Sequence, residues 1–181
     1  MTHEEKKTVK FVEWHLDQLD YGDIVRALHG KSQMGAFILS SCLIDHLAYF
    51  YSPIGTEDSK SGKRFTQFAS QYLPSYDAVR LYKALRCRLV HNYTEGGSYQ
   101  FVCDQKARHL TQDTDTGRTF LNLQDFMSDL REAMNRFFSD ALSGQTVEDE
   151  KGAHVPISDN IVMRFNKTGI LGVSRRHLLR P

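Results

Sequence analysis

The chain of 181 residues is long enough for one domain with an extension, or two small ones, around a real hydrophobic core. With 40% apolar and 25% charged residues and a net charge of +1, it has an ordinary soluble globular composition and lacks the overall field of a strongly basic nucleic-acid binder, so any anion-binding surface must be local. Cys42, Cys87 and Cys103 form no CxxC pair, which argues against a disulfide framework and a structural zinc site; with no apolar signal segment near Met1, a cytoplasmic protein is expected.

Thr2 followed by Glu5 predicts a capping box, and Val9, Val12, Leu16 and Leu19 recur at spacings of three and four. That pattern predicts an amphipathic helix over 3–20 ending near Gly22. Residues 23–33 suggest only a short helical turn before Gly30. Residues 34–51 predict the most apolar helix, closed by Ser52-Pro53. Two serines, Asp45 and His46 interrupt it, so it reads as a core helix and not as a membrane span. A polar loop over 52–63 leads to a shorter helix over about 64–73, stopped by Pro74. Ser75 is placed to cap the next helix, with Asp77 in its first turn, and that helix runs to about residue 92.

Past Gly97 the period changes. "SYQFV", "ARHLT" and "RTFLNL" read as short strands, the last two joined at "DTDTG", so a β-hairpin insertion is expected at about 98–122. Leu123, Met127, Leu130, Met134, Phe137 and Ala141 restore helical spacing over 123–143. Residues 145–156 read as a linker, and "NIVMRFNKTGILGVS" as a hairpin turning at "NKTG". After Asp159 no acid follows, whereas Arg164, Lys167, Arg175, Arg176 and Arg180 are basic. The expected fold class is mainly α. A bundle of four to five helices over 1–144 carries the hairpin insertion, and 145–181 add linker, hairpin and basic tail.

The helix that runs to residue 92 carries "LYKALRCRLVHNY". On an α-helix Ala78, Leu81, Tyr82, Leu85 and Leu89 form an apolar arc extended by Val79 and Val90, and Arg86 falls inside it. Arg80, Lys83 and Arg88 fall outside. A guanidinium on an apolar face needs compensation, because desolvating an unpaired charge is costly. A carboxylate such as Asp45, a phosphate group, or solvent reached by snorkelling would each serve. His91 lies about 140° around an ideal α-helix from Arg86. The two converge only if the helix ends near His91, or if two copies of it pack about a two-fold axis. A histidine beside terminal carbonyls is also a common structural arrangement.

"RCRLVHNY" resembles the signature of the HEPN family, Arg-x4–6-His, in the Arg-x4-His-x-Tyr form found in toxin components of bacterial toxin–antitoxin pairs. The context over residues 5–143 is similar as well: an apolar helix with a Leu-Ile-Asp stretch, a helix ending in Leu-Val-His-x-Tyr, and a final amphipathic helix. Cys87 departs from the polar residue common after the arginine, and the insertion and the C-terminal extension exceed the minimal family domain. The resemblance implies a HEPN-like bundle and a metal-independent endoribonuclease that acts on RNA as a homodimer. Its setting would be toxin, stress or phage defence, under an antitoxin or regulatory partner.

On that resemblance Arg86 and His91 are the catalytic candidates. A histidine can take the 2′-hydroxyl proton or protonate the leaving oxygen, and a guanidinium can hold the scissile phosphate. Two protomers would supply two histidines. Tyr93, Asp45 and Arg88 are supporting candidates: Tyr93 to pack, to stack on a base, to contact the phosphate or to accept an adenylate from a partner enzyme; Asp45 to orient Arg86; Arg88 to touch RNA backbone. No cofactor is expected, and no metal, since the other histidines lack zinc-ligand spacing. The alternative is a non-catalytic HEPN-like module that dimerises or binds RNA or protein.

Overall fold

The first helix opens with the expected capping box: the Thr2 hydroxyl accepts the Glu5 amide at 3.3 Å, and the Glu5 carboxylate accepts the Thr2 amide at 2.6 Å. The structure, a computed structural model, describes residues 1–53, 61–94, 97–103 and 108–168. Helix α1 (His3–His15) runs without a break through a π-helical segment, π1 (Leu16–Tyr21), into α2 (Gly22–His29). The expected end near Gly22 does not occur. Gly22 keeps helical dihedrals (φ −59°, ψ −37°), and the helix continues to His29. The wider turn in π1 re-phases the apolar positions, which is why Leu19, on the expected core face, is 43% exposed.

Helix α3 (Gln33–Tyr51) lies at the centre and packs against α2, α6 (Leu123–Ser143), α7 (Ile157–Thr168) and α4 (Ser61–Tyr72). It has the length and apolarity of a membrane-crossing segment, but its core face, including Phe37, Leu43, Ile44, Leu47 and Phe50, is covered by those neighbours. Where α3, α4 and α6 meet, Tyr51, Phe68, Tyr72 and Phe137 pack at ring separations of 4.9 to 6.4 Å, mostly edge to face. Such pairs stabilise by about 0.5–1.5 kcal/mol each beyond the area they bury.

Asp77, not Ser75, caps the following helix, its carboxylate accepting the Arg80 amide at 2.9 Å. The chain is still turning at Ser75, since the Tyr76 amide closes onto the Leu73 carbonyl. One short α-helix, α5 (Ala78–Leu81), passes directly into a nine-residue π segment, π2 (Tyr82–Val90).

The insertion keeps part of the expected hairpin, the Leu110 amide donating to the Phe120 carbonyl and the Phe120 amide to the Thr111 carbonyl, each at 2.9 Å, but 108–111 is not a strand. Strands β1 (Tyr99–Val102) and β2 (Thr119–Asn122) pair in parallel, with Tyr99 opposite Thr119. The turn at Asp113–Gly117 forms and reverses the chain, closed by Asp113 amide to Arg118 carbonyl and a bridge between Gln112 and Thr119. The described part of "ARHLT" (108–111) is turn, with Leu110 at φ 58°. Its histidine explains this: His109 Nδ1 accepts the Asn122 amide at 3.1 Å, taking a donor that a hairpin partner would have used.

The C-terminal expectations are overturned as well. The linker region folds into a hairpin, β3 (Thr146–Glu148) antiparallel to β4 (His154–Pro156), with Asp149 accepting the Lys151 and Ala153 amides and Gly152 at φ 80°. Residues 157–168 are helix α7, not a hairpin, because Ile157, Ile161 and Phe165 recur every fourth residue and are buried in the common core. Arg164 is not a solvated tail cation. It is 6% exposed, donates to the Ser52 and Pro53 carbonyls at 3.0 to 3.1 Å, and lies 4.1 Å over the Tyr49 ring. With Asn160 on the Tyr51 carbonyl, it satisfies the carbonyl end of α3. Arg175, Arg176 and Arg180 lie outside the described residues.

The described chain is thus mainly α-helical, with two small two-stranded sheets.

Candidate active site

Asp45 lies on the half-buried edge of α3, and π2 packs along that edge. The Arg86 Nε forms an ion pair with Asp45 Oδ2, the guanidinium side chain remaining 30% exposed and the carboxylate side chain 25% exposed. The Asp45 carboxylate that the sequence allows as a partner for Arg86 is in contact with it.

The π register narrows the angular gap between Arg86 and His91. The wider turn of such a segment brings residues five apart closer in angle than an α-helix does, although His91 itself lies just past it, its amide donating to the Arg88 carbonyl. Arg86 and His91 are five apart. His91 takes the position that ends π2, with helical dihedrals (φ −85°, ψ −35°) and an exposed side chain. Both residues act on the same carboxylate: Arg86 most strongly and His91 more weakly pull the Asp45 carboxyl down, against burial, which pushes it above its ordinary value.

Arg64, from α4, joins them as a further cation acting on Asp45. Its guanidinium lies 5.9 Å over the ring of Tyr49, one helical turn beyond Asp45. Sequence reasoning missed Arg64, because a cation bordering a polar loop reads as a solvated helix end. Arg88 is exposed and directed elsewhere. A Cβ added to Gly97 would stand 2.6 Å from its guanidinium nitrogen, so this glycine gives Arg88 its room. Cys87, half-buried, shares a hydrogen bond with the Tyr82 hydroxyl.

Tyr93 does not pack. It is 67% exposed, with φ at +52° in the left-handed region. The Tyr93 amide donates to the Leu89 carbonyl at 2.9 Å and the Thr94 amide to the Arg88 carbonyl at 3.5 Å. These nested bonds each span one residue more than the usual left-handed helix ending, as the end of a wide-turn helix requires. Glycine normally takes that place.

Asp45 thus pairs with Arg86 and also feels Arg64 and His91, groups drawn from three elements. Tyr93 stands two residues beyond His91, and Arg88 turns aside. Comparisons of the chain with protein-family models, with curated proteins and with solved structures find no match. The chemistry of the cluster is what remains to argue from: cations that hold an anion, a carboxylate that orients one of them, and an exposed imidazole that can move a proton.

Proposed function

We propose that the chain is a HEPN-like endoribonuclease that cleaves cytoplasmic RNA without a metal, as a homodimer, in a toxin, stress or phage-defence setting under a partner's control. The observation that carries this reading is the cluster at Asp45, where Arg86 forms an ion pair and Arg64 and His91 act on the same carboxylate. Asp45 holds Arg86 through Nε, which orients the guanidinium toward a phosphate's non-bridging oxygens. His91 exchanges a proton with the 2′-hydroxyl or the leaving oxygen. Tyr93 offers an exposed ring to a neighbouring base, a contact worth about 1–3 kcal/mol per base, and its hydroxyl is open to adenylylation by a partner enzyme.

The test is cleavage of RNA in chelator by the purified chain, beside Arg86→Ala and His91→Ala. Each variant should lose about 10²-fold or more, and the products should carry a 2′,3′-cyclic phosphate. Undiminished cleavage in either variant would contradict the assignment.

The Arg86–Asp45 ion pair favours a second reading, in which the arginine serves the fold and the chain is a non-catalytic dimerisation or RNA-binding module. Under it, the wild-type chain binds RNA or self-associates and cuts nothing.

A further inference from the structure

A second guanidinium lies over the same edge of α3 as Arg86. Tyr49 follows Asp45 by one helical turn, about 40° around the axis and about 6 Å along it, so the two side chains are neighbours on one face. Arg86 meets that face at Asp45. Arg64 meets it at Tyr49, its guanidinium 5.9 Å from the ring centre. The elements that carry the two arginines also touch each other. The Tyr82 ring of π2 packs 5.3 Å from that of Phe65 on α4, and a Cβ added to Gly62 would stand 3.0 Å from Tyr82. Arg64 lies between Gly62 and Phe65 in the chain, and Arg86 follows Tyr82 by four residues. Tyr49 is a firm base for Arg64. The buried Arg164, held on the Ser52 and Pro53 carbonyls, lies 4.1 Å from its ring centre, and its hydroxyl donates to that of Thr168 at 3.4 Å.

We propose that Arg64 binds a second phosphate of the strand, next to the one held at Arg86, so that the site takes two successive phosphates of single-stranded RNA. This rests on the reading of the site as one for RNA. Guanidiniums meet phosphates through paired N–H donors. Arg86 contacts Asp45 through Nε, and a guanidinium so held still donates from its terminal nitrogens. Two such groups set about one helical turn apart suit an anion whose charges repeat along a chain better than a lone carboxylate. A strand gripped at both lies along α3 from Asp45 to Tyr49, and a mononucleotide, with one phosphate, loses the second grip.

The experiment measures the affinity of the full chain for a mixed-sequence 2′-O-methyl RNA oligonucleotide, which lacks the nucleophile and stays whole, across a range of salt concentrations. On a single strand, log affinity falls against log salt with a slope of about −0.7 for each phosphate neutralised. Arg64→Gln should make the slope shallower by about 0.7 and weaken binding roughly fivefold at 0.1 M salt. Arg64→Lys, which keeps the charge, should hold the wild-type slope. Arg86→Gln, made together with Asp45→Asn so that no carboxylate is stranded, should lose a similar share, and all three changes combined about 1.4. An unchanged slope in a natively melting Arg64→Gln chain would make Arg64 a structural neighbour of Tyr49 and overturn the proposal. So would a combined variant no weaker than either alone, since both arginines would then grip one phosphate. Unmodified RNA run alongside tests cleavage separately. A wild-type chain that shows these slopes and cuts nothing keeps Arg64 in its role and removes the ribonuclease reading, and one that binds neither strand overturns both.

Discussion

Tyr93 holds a left-handed backbone that costs a residue with a Cβ roughly 1–2 kcal/mol, yet its ring is 67% exposed and contributes no core packing in return. Strain kept without a structural return points to use of the side chain. Tyr93→Gly should therefore leave stability unchanged or raise it by up to about 1 kcal/mol in urea unfolding, while weakening RNA binding. A clear loss of stability would show that the ring packs after all. Arg86 and Asp45 are coupled differently. Each is less than a third exposed, so removing one leaves a half-buried charge behind. A double-mutant cycle on Arg86→Ala and Asp45→Ala should give a coupling of about 1–3 kcal/mol, and additive effects would show the pair to be incidental. The sequence carried both residues, and the conflict of a cation on an apolar arc was enough to name Asp45 as a partner. Arg64 carried no such conflict and went unseen.

At the scale of elements, the long helices with unbroken three-four spacing were legible. Residues 34–51 and 123–143 return almost residue for residue as α3 and α6. The π segments were not, because reading by angle presumes 3.6 residues per turn. That presumption put Leu19 in the core and set Arg86 and His91 about 140° apart. Strand partners were also hidden. A parallel pair such as β1 and β2 is decided by non-local packing, and the His109 contact that takes up the Asn122 amide beyond the short antiparallel pairing spans thirteen positions. Residues 157–168 show the reverse error, where a β-branched start and a turn-like "NKTG" outweighed the four-residue recurrence of Ile157, Ile161 and Phe165. Two elements yield tests. Deleting exposed Lys83 from π2 should restore ordinary α register and turn His91 away from Asp45, with helical circular dichroism retained and cleavage lost; retained cleavage would remove the π register from the account. Arg164→Ala strips the α3 carbonyl end of its charged donor and should cost about 3 kcal/mol in denaturant unfolding, against under 1 kcal/mol if the contact is dispensable.

For the whole molecule, pH sets the limits of stability from both sides. Burial pushes the phenols of Tyr21, Tyr51, Tyr72, Tyr76 and Tyr99 up, and Tyr72 and Tyr76 also donate to Asp140 and Asp129. A folded pKa above the unfolded one means that the native state holds its protons longer. Stability is then intact below about pH 10, the unfolded phenol value, and falls as pH rises beyond it. Burial pushes His15 down, the opposite sign, so its contribution is present above the unfolded imidazole value of about 6.5 and is lost as pH falls below it. Melting temperature against pH should form a plateau between these limits. His15→Phe should soften the acid edge, and an unchanged acid edge would assign it to other groups.

The central claim is that Arg86, paired with Asp45, and His91, just past the end of the wide-turn helix, cut RNA. It is tested most directly by incubating RNA with the wild-type chain in chelator beside Arg86→Ala and His91→Ala, each checked for native melting. Cleavage to 2′,3′-cyclic phosphate ends by the wild type, lost in both folded variants, is the predicted result. A folded wild-type chain that binds RNA and leaves it whole, or variants that cut as fast as the wild type, would contradict it.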